Sequence, residues 1–228
     1  MKNSVNFTPN ERVFGWVYFF LQLLIVPSIL WVINMILDYP YSITVINFVY
    51  FAINFIVVTL IFHKFLMGNL RLFLELPWHH LRCAGIGLLI YFAGNFVVSY
   101  LILLIDPDFA NINDMSILEM VKESYTRMTI GTVLLVPIVE ESFYRGLMFR
   151  APFEKSPVAA YCISIAAFGL AHVTGYVGTV DWFTLVLCFI QYIPAGFALA
   201  WTYQRSGSIF ASVLIHMSIN QIGMLYMR

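Results

Sequence analysis

Glu140, Glu141 and Arg145 stand together in a stretch, residues 128–149, that is otherwise apolar enough to cross a bilayer. A charged side chain at mid-bilayer costs on the order of 2.5–3.5 kcal/mol on insertion scales, so such a group persists only where it faces a packed or watered interior. On a helix Glu141 and Arg145, four positions apart, share a face and can pair, whereas Glu140 lies about 100° round and aligns with Tyr144. The two glutamates are therefore expected to do different jobs. Later apolar stretches add His172, and then His216 with Asn220, again four apart, so that their polar ends point to one place. A carboxylate beside a neutral imidazole can take a proton from water. A second imidazole with a carboxamide can donate hydrogen bonds to a developing oxyanion. That is the equipment of a hydrolase. No serine or cysteine in these motifs sits beside a histidine in a triad pattern, which favours direct attack by water over a covalent intermediate. Zinc held by Glu140, His172 and His216 is the other chemical possibility, since catalytic zinc takes three protein ligands and a water. The HExxH arrangement, two histidines one turn apart on one helix, is absent, so a site without metal ranks first. Singly, each residue also has a structural reading: Glu141–Arg145 as a buried ion pair fixing helix rotation, Asn220 as an interhelical hydrogen bond. The catalytic reading rests on their combination.

The elements that must position these groups are membrane helices. The chain has 228 residues, 61% hydrophobic and only 11% charged, with a mean hydropathy of +0.85; a soluble domain carries roughly 25% charged residues. Twelve Lys and Arg balance twelve Asp and Glu, so no basic excess argues for nucleic acid. The expected fold is all-α: a polytopic bundle of about seven transmembrane helices with a short interfacial helix. It forms a single domain over residues 1–228 whose motif-bearing core is 128–227. Residues 13–37, 42–62 and 83–105 are long enough to span without a charge. The N-terminus shows no short apolar segment with a small-residue cleavage site, so the first of these is expected to remain a span, bent at Pro27. Asn47 and Asn54 can hydrogen-bond across a helix interface, and Gly85, Gly87 and Gly94 offer close helix contact. Cys83, Cys162 and Cys188 match no metal or disulfide spacing and are expected as small core residues.

Residues 63–82, with three histidines around Pro77, read as a loop or interfacial segment with His79 and His80 in solvent. An acidic loop at 106–127 holds a short amphipathic piece capped by Asp114, with Ile117, Val121 and Tyr125 on one face. Pro137 is expected to free a backbone carbonyl one turn before the glutamates. Ser156-Pro157 reads as an N-cap opening the fifth span, 182–204 is the sixth with a kink at Pro194, and 209–227 the seventh. Outside the motif, Lys2, Arg12, Lys64, Arg71, Arg82, Arg150, Lys155 and Arg205 fall on the N-terminal side of this layout, against Lys122, Arg127 and Arg228 opposite. By the enrichment of cytoplasmic loops in Lys and Arg, the N-terminus is cytoplasmic and the C-terminus external.

Glu140-Glu141-x-x-x-Arg145, Phe168-x-x-x-His172 and His216-x-x-x-Asn220, in this order on separate late spans, resemble the three signature motifs of the CPBP family (CAAX protease and bacteriocin-processing, or Abi), intramembrane endopeptidases that include the eukaryotic Ras-converting CAAX endopeptidase. Each motif is weak alone; three in order are specific. The resemblance covers about residues 128–227, and the first three spans match only in being hydrophobic. It implies a glutamate-dependent intramembrane protease cutting membrane-associated peptides or proteins, with no cofactor, in a bacterial-type plasma membrane. Glu140 would be the general base with help from His172, His216 and Asn220 the oxyanion hole, and Glu141 and Arg145, with Tyr144 and Phe168 beside them, the supporting structure. A non-catalytic peptide-binding or bacteriocin-immunity membrane protein is the alternative from another class, and a proton-coupled carrier is disfavoured because the titratable groups occupy one half of the chain.

Overall fold

The computed structural model describes residues 5–228, so Lys2 lies outside the described residues. Nine helices occupy these residues, with no strand beyond an isolated bridge between Val177 and Val180. They are α1 (Pro9–Ile36), α2 (Ile43–Ile61), α3 (His63–Glu75), α4 (Pro77–Ile105), α5 (Ile112–Glu123), α6 (125–153), α7 (Pro157–Tyr176), α8 (Trp182–Ser206) and α9 (Ile209–Tyr226). Six of them, α1, α2, α4, α7, α8 and α9, are long and apolar enough to cross a membrane. The helix α6 is equally long but carries Glu140, Glu141 and Arg145, and makes the seventh. Seven long helices with the amphipathic α5 lying across loop 106–124 match the expected architecture of an integral membrane protein.

Prolines shape two of the long helices. In α1 the turns over Leu21–Ile25 widen, the Val26 N–H bonding the Leu21 carbonyl five residues back, just ahead of Pro27. The same happens in α6 over Ile130–Leu135, ahead of Pro137. A residue that cannot donate leaves carbonyls behind it free, and a wide turn is one way the ladder adjusts. At the start of α1, Thr8 and Glu11 form a capping box, and the second oxygen of Glu11 accepts the Phe65 N–H at 2.8 Å, fastening α1 to α3.

The centre of the bundle is α8, packed on α4, α7 and α9. Its approach to α4 requires glycine: a Cβ on Gly87 would lie 2.0 Å from the Thr202 hydroxyl oxygen and one on Gly94 3.2 Å from Pro194. Gly85, expected at the same contact, meets nothing within 4 Å. Asn54 does bridge helices, accepting from the Tyr18 hydroxyl at 2.9 Å. Asn47 donates to the Ile43 carbonyl of its own helix at 3.0 Å and across to the Met120 sulfur of α5 at 3.4 Å.

Several expectations need correction. Of the two readings of residues 63–82 the loop fails: α3 is a helix whose Phe65, Leu66 and Asn69 face inward, and α4 begins already at Pro77. That early start turns His80 into the protein, where it is 1% exposed, stacked on Phe73 and donating from Nδ1 to the Leu76 carbonyl; only His79 is in the open. The cap of α5 is Asn111, whose side-chain oxygen takes the Asn113 and Asp114 N–H groups, so Asp114 sits within the first turn instead. Ile117, Val121 and Tyr125 do share an apolar cluster, although the helix ends at Glu123 and Tyr125 opens α6. Cys83 and Cys188 are buried, but Cys162 is exposed on the outer face of α7.

Candidate active site

The chemistry-bearing residues converge from α6, α7 and α9. Every side chain from Ser142 to Phe149 is buried, because this wide-turned stretch of α6 is surrounded by α1, α7, α8 and α9. Glu141 and Arg145 are both fully buried and joined at 2.9 Å, the pairing their spacing predicts. Arg145 also donates to the Gly196 carbonyl of α8 at 3.2 Å and lies 4.7 Å over the Phe168 ring, so the cation meets an anion, a dipole and a π face, while its buried Nε has no acceptor among the described residues.

Glu140 is separate. Among the described residues it has no cationic partner from Lys or Arg; its side chain is 21% exposed, and it faces a cavity of about 1060 Å³. His216 lies between the two carboxylates. Its Nδ1–H donates to Glu141 at 2.9 Å, and its Nε2 stands 3.8 Å from Glu140 Oε2, near but beyond a direct hydrogen bond. The Nδ1 assignment follows from the hydrogen bond to the buried carboxylate. Glu141 thereby orients both Arg145 and His216.

His172 lines the same cavity but makes no hydrogen bond to Glu140: its Nδ1–H donates to the Phe168 carbonyl at 2.8 Å, which in the neutral ring leaves Nε2 as the acceptor. Phe168 separates the two imidazoles, its ring centre 4.6 Å from that of His172 and 5.8 Å from that of His216, and Tyr144 packs edge-on to it at 5.6 Å. Asn220 donates to the Thr132 carbonyl of α6 at 2.7 Å. In the five-residue register of that turn, Thr132 is the residue whose carbonyl Pro137 cannot bond, so the amide of α9 takes up the acceptor that the proline releases. One amide hydrogen of Asn220 remains for the cavity, which it also lines.

The eight residues singled out in the sequence thus meet around one cavity or directly behind it. The sequence gives no sign of three further participants. Tyr192 of α8 stacks on His172 at 4.2 Å, Asn113 donates to the Tyr192 hydroxyl at 2.9 Å, and that hydroxyl donates in turn to Asp114 at 3.5 Å. They lie on other helices, at no spacing that would connect them to His172. Among the described residues no three His, Cys, Asp or Glu side chains form a set that could hold a metal ion; Glu140, His172 and His216 do not converge on one point as ligands would.

A family model described as Type II CAAX prenyl endopeptidase Rce1-like matches residues 122–222, a segment holding all of Glu140, Glu141, Arg145, His172, His216 and Asn220. Comparison with curated proteins and with solved structures gave no match.

Proposed function

From the premise that this chain belongs, through residues 122–222, to the Rce1-like family of CAAX endopeptidases and is a membrane protease, we propose that it cuts membrane-associated peptides by attack of a water activated at Glu140. The observation that supports the mechanism is the division between the glutamates: Glu141 is held by Arg145, while Glu140 faces the cavity beside an imidazole, unpaired by any Lys or Arg of the described residues. In the reaction a water proton passes to Glu140 as the water oxygen bonds to the scissile carbonyl carbon. The carbonyl oxygen becomes an oxyanion, stabilised by the free amide hydrogen of Asn220 and by His216, whose Nε2 serves as the second donor when it carries a proton. Glu140 then returns the proton to the leaving nitrogen as the C–N bond breaks. The acceptor nitrogen of His172 helps to orient the water.

The cavity wall includes Thr44 from the start of α2, Asp114 and Glu123 from α5, Tyr176 from the end of α7, and Tyr226 and Met227 from the end of α9. These all belong to the end of the bundle away from the N-terminus, the end that the Lys and Arg distribution makes external in a bacterial-type plasma membrane. Substrate therefore reaches Glu140 from that side.

The test is Glu140→Gln. It abolishes cleavage of a membrane peptide, by at least about a hundredfold, while the protein still inserts and purifies normally. Full activity in that variant ends the mechanism.

A further inference from the structure

The acidic and basic side chains that line the cavity reaching Glu140, its two histidines apart, are of one sign. Asp114, Glu119, Glu123 and Glu140 line it, and no lysine or arginine of the described residues does; Arg145 lies behind the wall, committed to Glu141. Glu119 is paired with Lys122 at 2.6 Å, which leaves three carboxylates without a Lys or Arg held against them. Of these, Glu123 is anchored by the Ser42 and Thr44 hydroxyls at 2.5 and 2.6 Å, fastening α5 across the mouth to α2. Asp114 is different: it is recessed within the cavity yet open to its space, and its one side-chain contact from another helix is the Tyr192 hydroxyl at 3.5 Å. Because the ring of the same tyrosine lies flat on His172, the carboxylate of Asp114 sits one tyrosine's length from the imidazole beside the reacting centre.

A second observation is independent of charge. Gln22 of α1 also lines this cavity and is only 6% exposed, and its side-chain amide has no hydrogen-bond partner among the described residues. That amide is open to the cavity, where a peptide backbone has the matching donors and acceptors. A recessed, single-sign cavity concentrates ions of the opposite sign and rejects its own.

Resting on the endopeptidase reading above, we infer that the cavity selects peptides with a cationic side chain or amino group near the scissile bond, Asp114 taking the cation and Gln22 bonding to the backbone.

The test separates binding from cleavage. Short alanine–leucine peptides with a neutral fluorophore, an amidated end and one central lysine, acetyl-lysine or glutamate are titrated against the full-length protein carrying Glu140→Gln, which holds them uncut. The lysine probe binds about tenfold more tightly than the acetyl-lysine probe, and the glutamate probe more weakly than both. Asp114→Asn removes most of that preference, and Asp114→Lys, at an open position where folding survives, reverses it. Equal dissociation constants for lysine and acetyl-lysine, or a preference untouched by Asp114→Lys, overturn the inference. Cleavage of the same probes is read with Glu140 in place. Selectivity in binding without cleavage removes the protease reading and keeps the cation site; cleavage without selectivity does the opposite.

Discussion

At the scale of single residues, the site separates carboxylates by what surrounds them. Glu141 has a cation against it in a fully buried setting, so removing that cation leaves an uncompensated buried charge, which typically costs about 3–5 kcal/mol. Arg145→Ala is therefore expected to lower stability by about that amount in denaturant unfolding of the detergent-solubilised protein. Glu140→Gln, at the cavity wall and not ion-paired to Arg or Lys, is expected to change stability by less than about 1 kcal/mol. Equal losses in the two variants would contradict the division of roles. Asp114 carries a pH signature. Its recessed position pushes its carboxyl above the ordinary range, opposed by charge on His172 and by the hydrogen bond from Tyr192. An acid whose pKa is raised loses its anion at a higher pH than an ordinary aspartate, and a bound cation favours the anion. Affinity for the lysine probe is thus expected to fall on acidification, beginning above the usual aspartate range, and to recover as the pH rises through it. The other groups facing Asp114 are Tyr91 from α4, His172 from α7, and Cys188 and Tyr192 from α8. Ordinary phenols and thiols titrate on the alkaline side. Protonation of His172 works in the same direction as that of Asp114, and Asp114→Asn separates the two: the part of the decline that survives the substitution belongs to the imidazole.

At the scale of elements, the site depends on a defect in one helix being repaired by another. Pro137 leaves the Thr132 carbonyl of α6 without its backbone donor, and Asn220 of α9 supplies one. Asn220→Ala alone is expected to cost about 1–3 kcal/mol, the penalty of a buried acceptor left unpaired. With Pro137→Ala in place the backbone can make that bond itself. The same Asn220→Ala change should then cost at least about 1 kcal/mol less in denaturant unfolding, and strictly additive effects would show that the two residues act independently. Much of this was legible in the sequence, because a carboxylate or proline in an apolar span is expensive enough to need a local reason. Glu140, Glu141, Arg145, Pro137 and the i, i+4 pair His216–Asn220 declare themselves that way. The pairing of Asn220 with Thr132 did not, since the partner is a backbone carbonyl that carries no side-chain signal. The stack of Tyr192 on His172 joins helices by tertiary packing, to which sequence spacing is blind. For α3 the obstacle was different: Lys64, Arg71 and three nearby histidines raise the polarity of the whole segment, although Phe65, Leu66 and Asn69 already mark a buried face.

At the scale of the whole molecule, the arrangement is a helix bundle around a cavity that runs from Glu140 to the acidic helix α5. The helices α1 and α4 present rows of exposed Leu, Ile, Val and Phe, as suits lipid-facing elements, while α8 is the most buried of the long apolar helices and meets α4 through glycine contacts. The proposed catalytic groups share their cavity with residues of the acidic helix α5 at one end of the bundle, and α3, with its basic residues Lys64 and Arg71, lies at the other end. If cytoplasmic segments are those enriched in Lys and Arg, the cavity opens outward. With Cys83, Cys162 and Cys188 replaced by alanine, a cysteine introduced as Asp114→Cys is expected to react with a membrane-impermeant maleimide on intact cells. One introduced as Lys64→Cys, equally exposed, is expected to react only after permeabilisation. The reverse pattern would turn the molecule over and send substrate in from the cytoplasm. The geometry around Glu140 would stand, but the field of α5 would then act on cytoplasmic peptides, and the choice of cationic substrates would have to be sought there.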